Sequence, residues 1–545
     1  NRKPPMQPEA IPTTQDAARF RCEGHWTDRS LVEFFDAAVA RHPDKIAVID
    51  PLGRRLSYGE MAKMVDVLAA NLAARGIGAG DVIAIQLPNW AETATIHMAA
   101  SRLGAITNPL LPIYRQKELS YILKFAKTAA VFIPNMYRNF DFPAMYGEMR
   151  SKLPDLRHVF VVDDNPPPDC EAFSELEKPC AKVADHAARG DDVTALIFTS
   201  GTESTPKGVM HSHNTSMYST LTMAKLVGLN ADDVIWMASP VGHGTGFIWG
   251  IRQAITLGAT LVLQDIWDVE EALRLIEAEH CSFTLSATPF VAMLLESPNL
   301  SSRDLSSFRI FACAGAPIPE QVGMAAKTKI GCQLIGMWGM SECYVGTASS
   351  PDQPEEKLCN TDGRAMPGCE AAIYDETRTE QLAVGEVGEL ATRGPHVALG
   401  YFNDPERTKS AFSAGGWLFT NDLATLDGDG FVRIVGRKKD IINRGGLKVS
   451  AREIEELLLK HPSIIQVALV PISDTRLGEK SCAYVVTRDG QDLAFSDMTA
   501  HLAAADIAKY KYPEHLVVLD ELPMTPSGKI QKFKLVEMFA AAAAH

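Results

Sequence analysis

The sequence is short of paired cysteines, of long apolar runs and of positive charge. Its ten cysteines are scattered over 545 residues, with no CxxC pair and none at the spacing of a Cys/His zinc site. That argues against a zinc module or a redox dithiol, and free thiols in a reducing cytoplasm are expected. No stretch reaches the ~18 apolar residues that a membrane helix needs. Lys plus Arg is 53 and Asp plus Glu is 67, a net charge of −14. An acidic balance argues against a surface built for nucleic acid or anionic membrane. The residues from Asn1 to Met6 carry no apolar segment before a small-residue cleavage site, so no secretory leader is expected. No internal repeat is visible.

What is present is ordinary globular usage, 46% apolar and 22% charged, in a chain long enough for three or four structural units. The first 150 residues alternate strand and helix signals. Lys45–Asp50 and Asp81–Leu87 are apolar strand runs. Ser57 and Glu60 stand as a capping box before an amphipathic stretch to Arg75, and a helix follows near Ala91–Leu103. Val193–Phe198 opens a second α/β region reaching about residue 350. Residues 360–435 read as mostly β. After Gly436 come helix Ala451–Lys460, strands Gln466–Pro471 and Ser481–Thr487, and helix Asp497–Lys509.

The densest chemical signal is Thr199-Ser-Gly-Thr-Glu-Ser-Thr-Pro-Lys-Gly208, directly after a strand. Backbone N–H groups freed by glycine, hydroxyls and one cation are what a polyphosphate requires. It is not a Walker loop, because six residues separate Gly201 from Gly208 and no Ser or Thr follows a Gly-Lys pair. Gly336-Met-Trp-Gly-Met-Ser-Glu342 places an aromatic, a hydroxyl and a carboxylate together. It lacks the second glycine of a serine nucleophile elbow.

These segments, with Ala314–Pro317, Gly416–Asp422, Gly436–Asp440 and Pro523–Lys529, resemble in order and spacing the motifs of adenylate-forming enzymes. That superfamily holds acyl- and aryl-CoA synthetases, luciferases and adenylation domains. The resemblance runs over nearly the whole chain. Within it, the sequence looks most like ligases of cyclic or medium-length acids, of the cyclohexanecarboxylate–CoA ligase kind.

The resemblance implies an α/β fold. A large body (1–436) would hold two mixed β-sheets with flanking helices and a small β-barrel-like subdomain. A small mobile α/β domain (437–545) would follow, with its hinge near Lys439. It implies binding of ATP or AMP by Thr199, Ser200, Gly201, Thr202 and Lys207, by Gly315, Ala316 and Pro317 along the adenine, and by Trp338, Gly339 and Ser341. Asp422 would hold the ribose hydroxyls, and Arg437 would make a second contact to the ribose or to a phosphate. Trp338 stands where a tyrosine is usual, and Asn421 where a glycine is usual. Glu342 would hold Mg²⁺, which suits one carboxylate completed by phosphate and water. Lys529 would be the catalytic lysine of adenylation, and His243 would lie by the carboxylate and the thioester path. His243, Phe247, Trp249, Gly339 and Met340 would line the acid pocket. The segment Trp236–Gly250 holds no Asp or Glu to pair an ammonium, which argues against amino-acid substrates. Gly445 and Gly446 would line the path of coenzyme A.

The implied reaction is ATP-dependent formation of an acyl-adenylate and its transfer to CoA. Transfer to a carrier protein and nucleotide binding without catalysis are the alternatives. The partners would be a small carboxylic acid, ATP and CoA. A homodimer is the assembly compatible with the family, and Lys529 would be open to an acetyltransferase and a deacetylase.

Overall fold

A computed structural model describes residues 12–163, 165–181, 186–199, 206–315, 318–413, 415–488, 491–525 and 528–543. Two mixed sheets form the body. One has nine strands, ordered Arg364–Ala365, Thr347–Ala348, Gln333–Trp338, Ile310–Ala314, Phe283–Ser286, Val234–Met237, Thr260–Leu263, Ile46–Ile49 and Arg55–Ser57. Its central strands, from Gln333–Trp338 to Ile46–Ile49, are all parallel. Parallel strands joined by helices leave their carboxyl ends along one edge, where α/β proteins build binding crevices. Met237, Ala314 and Trp338 all leave the sheet at that edge.

The second sheet has seven strands, with Lys207–Ser212 at one edge beside Val193–Thr199. These two are antiparallel and pair Thr199 with Lys207, which closes the two ends of the hydroxyl-rich loop on each other. Val82–Ile85 and Thr128–Pro134 are buried along their whole length, as expected of apolar runs covered on both faces. The capping box is realised: Ser57 Oγ accepts from the Glu60 N–H at 3.2 Å and Glu60 accepts from the Ser57 N–H at 2.8 Å. Helix Ala91–Arg102 is buried on every side. It lies in one core with Ile83 of the second sheet and Leu285 of the first.

The small β subdomain is a four-stranded antiparallel sheet, ordered Glu370–Tyr374, Gly388–Arg393, Leu418–Leu426 and Val432–Arg437. The turn Lys438–Asp440 leads from it into a last sheet of five strands, flanked by helices Ala451–Leu458, Phe495–Ala504 and Lys532–Ala543. Strands Ile464–Asp474 and Gly478–Thr487 outrun their apolar cores, because their ladder continues to the Asp474–Gly478 pair. The Phe495–Ala504 helix stops short of Lys509. Asp506 takes a left-handed φ of 54°, which ends the turn. Among the described residues no helix is long and apolar enough to cross a membrane.

The small domain lies against the body. Arg433 pairs with Glu456 at 2.7 Å, and Arg488 reaches Glu296 at 3.2 Å. Lys438 pairs with the buried Glu389 at 2.7 Å.

Candidate active site

The strand ends assemble the site. Strand Gln333–Trp338 turns at Gly339, where an added Cβ would lie 2.0 Å from the Tyr344 carbonyl oxygen. Only glycine permits so close a return, and the return aims Glu342 inward. Glu342 is buried at 4% exposure, and its Oε1 accepts from the Tyr401 hydroxyl at 2.7 Å. Burial pushes its carboxyl up, opposed by the Tyr401 hydrogen bond and the Lys207 charge. The Lys207 ammonium lies 5.1 Å from the Tyr401 ring centroid. Beside them, His211 Nε2 donates to the Ser341 carbonyl oxygen at 2.7 Å, and its ring stacks on Tyr344 at 3.8 Å.

The ladder of the four-stranded sheet sets Asp422 opposite Arg437. Arg437 Nε donates to Asp422 Oδ1 at 3.1 Å, and the Trp338 indole N–H donates to Oδ2 at 2.8 Å. The indole thus supplies a donor at the position where the family usually has a tyrosine. Asn421 has a φ of 61°. Glycine and asparagine are the residues that tolerate that left-handed conformation, which explains the exchange of one for the other here.

Lys529 enters from the small domain. Its N–H donates to Thr525 Oγ1 at 3.0 Å, which tightens the loop. Gly528, with a φ of 80°, packs so closely that a Cβ would lie 3.1 Å from both Ala287 Cβ and the Phe290 ring. Lys529 Cε in turn lies 3.1 Å from where a Gly315 Cβ would stand. The ammonium therefore reaches the end of strand Ile310–Ala314. Lys529 keeps an exposed surface, while surrounding protein, and then the Arg437 charge, push its pKa down to about 8 against the pull of Asp422 and Glu342.

On the acid side, the Asn89 amide donates to the Ser239 and Gln264 carbonyl oxygens at 3.0 and 2.9 Å, and its Oδ1 accepts from the Val241 N–H at 2.8 Å. This clamp fixes the loop that carries His243. His243 Nδ1 accepts from the Thr245 N–H at 3.2 Å, so its proton belongs on Nε2. Crowding by protein, and then the Lys529 charge, push His243 down to about 3, so the ring is neutral. Phe247 and Trp249 lie on a π-helical segment, Thr245–Arg252, and both are buried in the main core. Gly339 and Met340 keep partial exposure at the Glu342 turn.

Lys529, Glu342, Asp422, Arg437, Gly315, Trp338 and His243 thus converge. Gly445 and Gly446 do not join them. Both have positive φ, 59° and 90°, and form an exposed two-residue hairpin turn between Ile441–Arg444 and Leu447–Ser450. Lys439 lies in the turn between the sheets. Ser200, Gly201, Thr202, Ala316 and Pro317 lie outside the described residues. The sequence reading missed Asn89, His211 and Tyr401. Each acts through a partner far away in the chain, and no local pattern marks it.

The model of the AMP-binding enzyme family matches residues 35–402, and that of its C-terminal domain matches 453–529. The medium-chain fatty-acid–CoA ligase of Escherichia coli is 38% identical over 96% of this chain and 92% of its own length. The 2-hydroxy-7-methoxy-5-methyl-1-naphthoate–CoA ligase of Streptomyces carzinostaticus is 34% identical over 96% and 95%. The fold matches that of the anthranilate–CoA ligase AuaEII, solved in complex with anthranoyl-AMP, with a TM-score of 0.87 at 24% identity over 95% and 98% of the two chains. With two mixed sheets, a small final domain and matches to both family models, the chain belongs to the AMP-binding enzyme family, a member of the adenylate-forming superfamily.

Proposed function

We propose that the protein is an acid–CoA ligase that releases AMP and pyrophosphate, acting on a cyclic or medium-length carboxylic acid. The observation that carries this is the convergence of Lys529 from the small domain with Glu342, Asp422 and Arg437 from the body. A carboxylate oxygen of the acid attacks the α-phosphorus of ATP, and the bond to pyrophosphate breaks. Lys529 offers a point cation to the oxygens on which charge develops. The loop from Thr199 to Lys207 holds the phosphates, and Asp422 accepts from the ribose hydroxyls. The buried carboxylate of Glu342 fits Mg²⁺, a hard cation that takes one or two carboxylates and fills its shell with phosphate and water. When bound, the ion neutralises phosphate charge.

The CoA thiolate then attacks the acyl carbon, and AMP leaves with the phosphate oxygen. The exposed position of Gly445 and Gly446 supports a second arrangement of the small domain for this step, reached by rotation within Lys438–Asp440 near Lys439. The boundary would lie between 436 and 437. The accessible Lys529 would lose its charge on acetylation, and adenylation with it.

The test is AMP release from ATP across linear, cyclic and aromatic acids, with and without CoA. CoA-dependent release with a matching acyl-CoA product is expected, and release of acyl-adenylate alone would overturn the assignment. Trp338→Phe checks the nucleoside end, since it keeps the ring and removes the donor to Asp422. KM for ATP should rise about ten-fold while kcat changes little, as for a lost hydrogen bond to a charged group.

A further inference from the structure

Behind Phe247 lies a buried cation without a counter-ion among the described residues. Arg252 ends the Thr245–Arg252 helix and is 0% exposed. Its Nη1 reaches His97 Nε2 at 3.2 Å and Thr194 Oγ1 at 3.4 Å. Its Nε and Nη2 are buried with no partner among the described residues. These two nitrogens form one edge of the guanidinium, the edge that meets two oxygens side by side. The Tyr344 hydroxyl and Ser216 Oγ are also buried, close to each other and with no other hydrogen-bond partner among the described residues. Tyr344 stands beside the guanidinium, but burial keeps its phenol protonated and uncharged. Among the described residues no carboxylate pairs with Arg252. His97, His211 and His213 are held neutral by burial, with Arg252 adding to the effect. A buried arginine with unused donors is costly unless something accepts from it.

Two contacts place this cluster at the acid side of the site. The His97 ring meets the Phe247 ring edge-on, with centroids 4.6 Å apart. Tyr344 follows Glu342 by two residues, and its carbonyl closes against Gly339. We propose that Arg252, with Tyr344 and Ser216, forms a subsite for an oxygen acceptor at the far end of the acid substrate, a second carboxylate or a ring carbonyl. The proposal rests on the reading of the protein as an acid–CoA ligase and names its substrate class. An acid with an apolar far end would leave the guanidinium edge unpaired. An oxygenated one would engage both donors.

The experiment compares matched acids on the full-length protein with ATP, Mg²⁺ and CoA. The pairs are hexanoate with adipate, and cyclohexanecarboxylate with its para-keto and para-carboxy counterparts. An oxygenated acid should exceed its apolar partner about 100-fold in kcat/KM, because a site built to donate rejects an analogue that cannot accept. Preference for the dicarboxylate identifies a charged tail, and preference for the keto acid a neutral one. Arg252→Met should collapse the ratio. A preference for apolar acids, or a ratio unchanged in R252M, would overturn the subsite and make Arg252 a purely structural group. Should R252M fail to fold, thermal shifts of the wild-type protein decide. A larger shift with the oxygenated acid supports the subsite, and equal shifts refute it. If no acid yields CoA-dependent AMP, the ligase reading fails instead.

Discussion

Lys529→Ala slows acyl-adenylate formation by about 10²–10³-fold, the cost of removing one preorganised donor from a transition state. ATP–pyrophosphate exchange measures that step. Thioester formation from supplied acyl-adenylate changes far less, because no phosphorus bond is then being made. The reason lies in where the ammonium sits. Gly528 packs against Ala287 and Phe290, and Lys529 passes beside Gly315 to stand among Arg437, Asp422 and Glu342. Equal losses in both half-reactions would show that the side chain only braces the domains. The pH profile gives an independent check. The Lys529 pKa is lowered to about 8, so the cation prevails below that pH and is lost above it. The cation is the working form. Therefore kcat/KM for ATP, which reports the free enzyme, falls as pH rises through about 8. In Lys529→Arg the guanidinium stays charged, and the basic limb moves upward even where the rate is lower.

Much of this site was legible in the sequence because its parts sit in short, ordered segments at strand ends. Glu342, Asp422, Arg437 and Lys529 were read from such segments, and the structure brings all four together. What could not be read depends on contacts across the fold. Tyr401 meets Glu342 over 59 residues, and Asn89 meets Val241 over 152. Neither spacing carries a local signal. The Trp338 donor to Asp422 crosses between the nine-stranded and four-stranded sheets, so the sequence shows the exchange for tyrosine but not the contact that the indole makes. Asn421 looked like a departure from glycine until its φ of 61° made the two residues equivalent. Arg252 carries no mark in the sequence, because burial and missing partners are properties of the packed molecule. The sheet types followed from apolar runs buried on both faces. The π-helical turn at Thr245–Arg252 followed from nothing in the composition.

Glu342→Gln should separate what the carboxylate does for the reaction from what it costs the fold. Glu342 is buried, and burial outweighs the Tyr401 hydroxyl and the Lys207 charge, so its folded-state pKa is raised. A carboxyl with a raised folded pKa binds its proton more tightly in the folded chain than in the unfolded one. At neutral pH its ionised form therefore destabilises, and the penalty fades as pH falls through the folded pKa toward the ordinary carboxylate range. Glutamine removes that penalty and keeps an oxygen that can accept from Tyr401. The melting temperature of E342Q without ligand should exceed that of wild type at pH 7, and the difference should shrink as the pH is lowered. Adenylation should move the other way, falling about 100-fold, the scale of a lost electrostatic contact in the transition state. Addition of MgATP discriminates further. It should raise the melting temperature of wild type by linkage and that of E342Q much less, because binding to the folded state is what stabilises. An E342Q protein that melted lower and kept both its activity and its MgATP shift would make Glu342 a packing group held by Tyr401. A protein that melts higher while losing activity and the shift is the signature of a charge kept in the core for its ligand. The buried carboxylate then stabilises bound MgATP at the expense of the free fold.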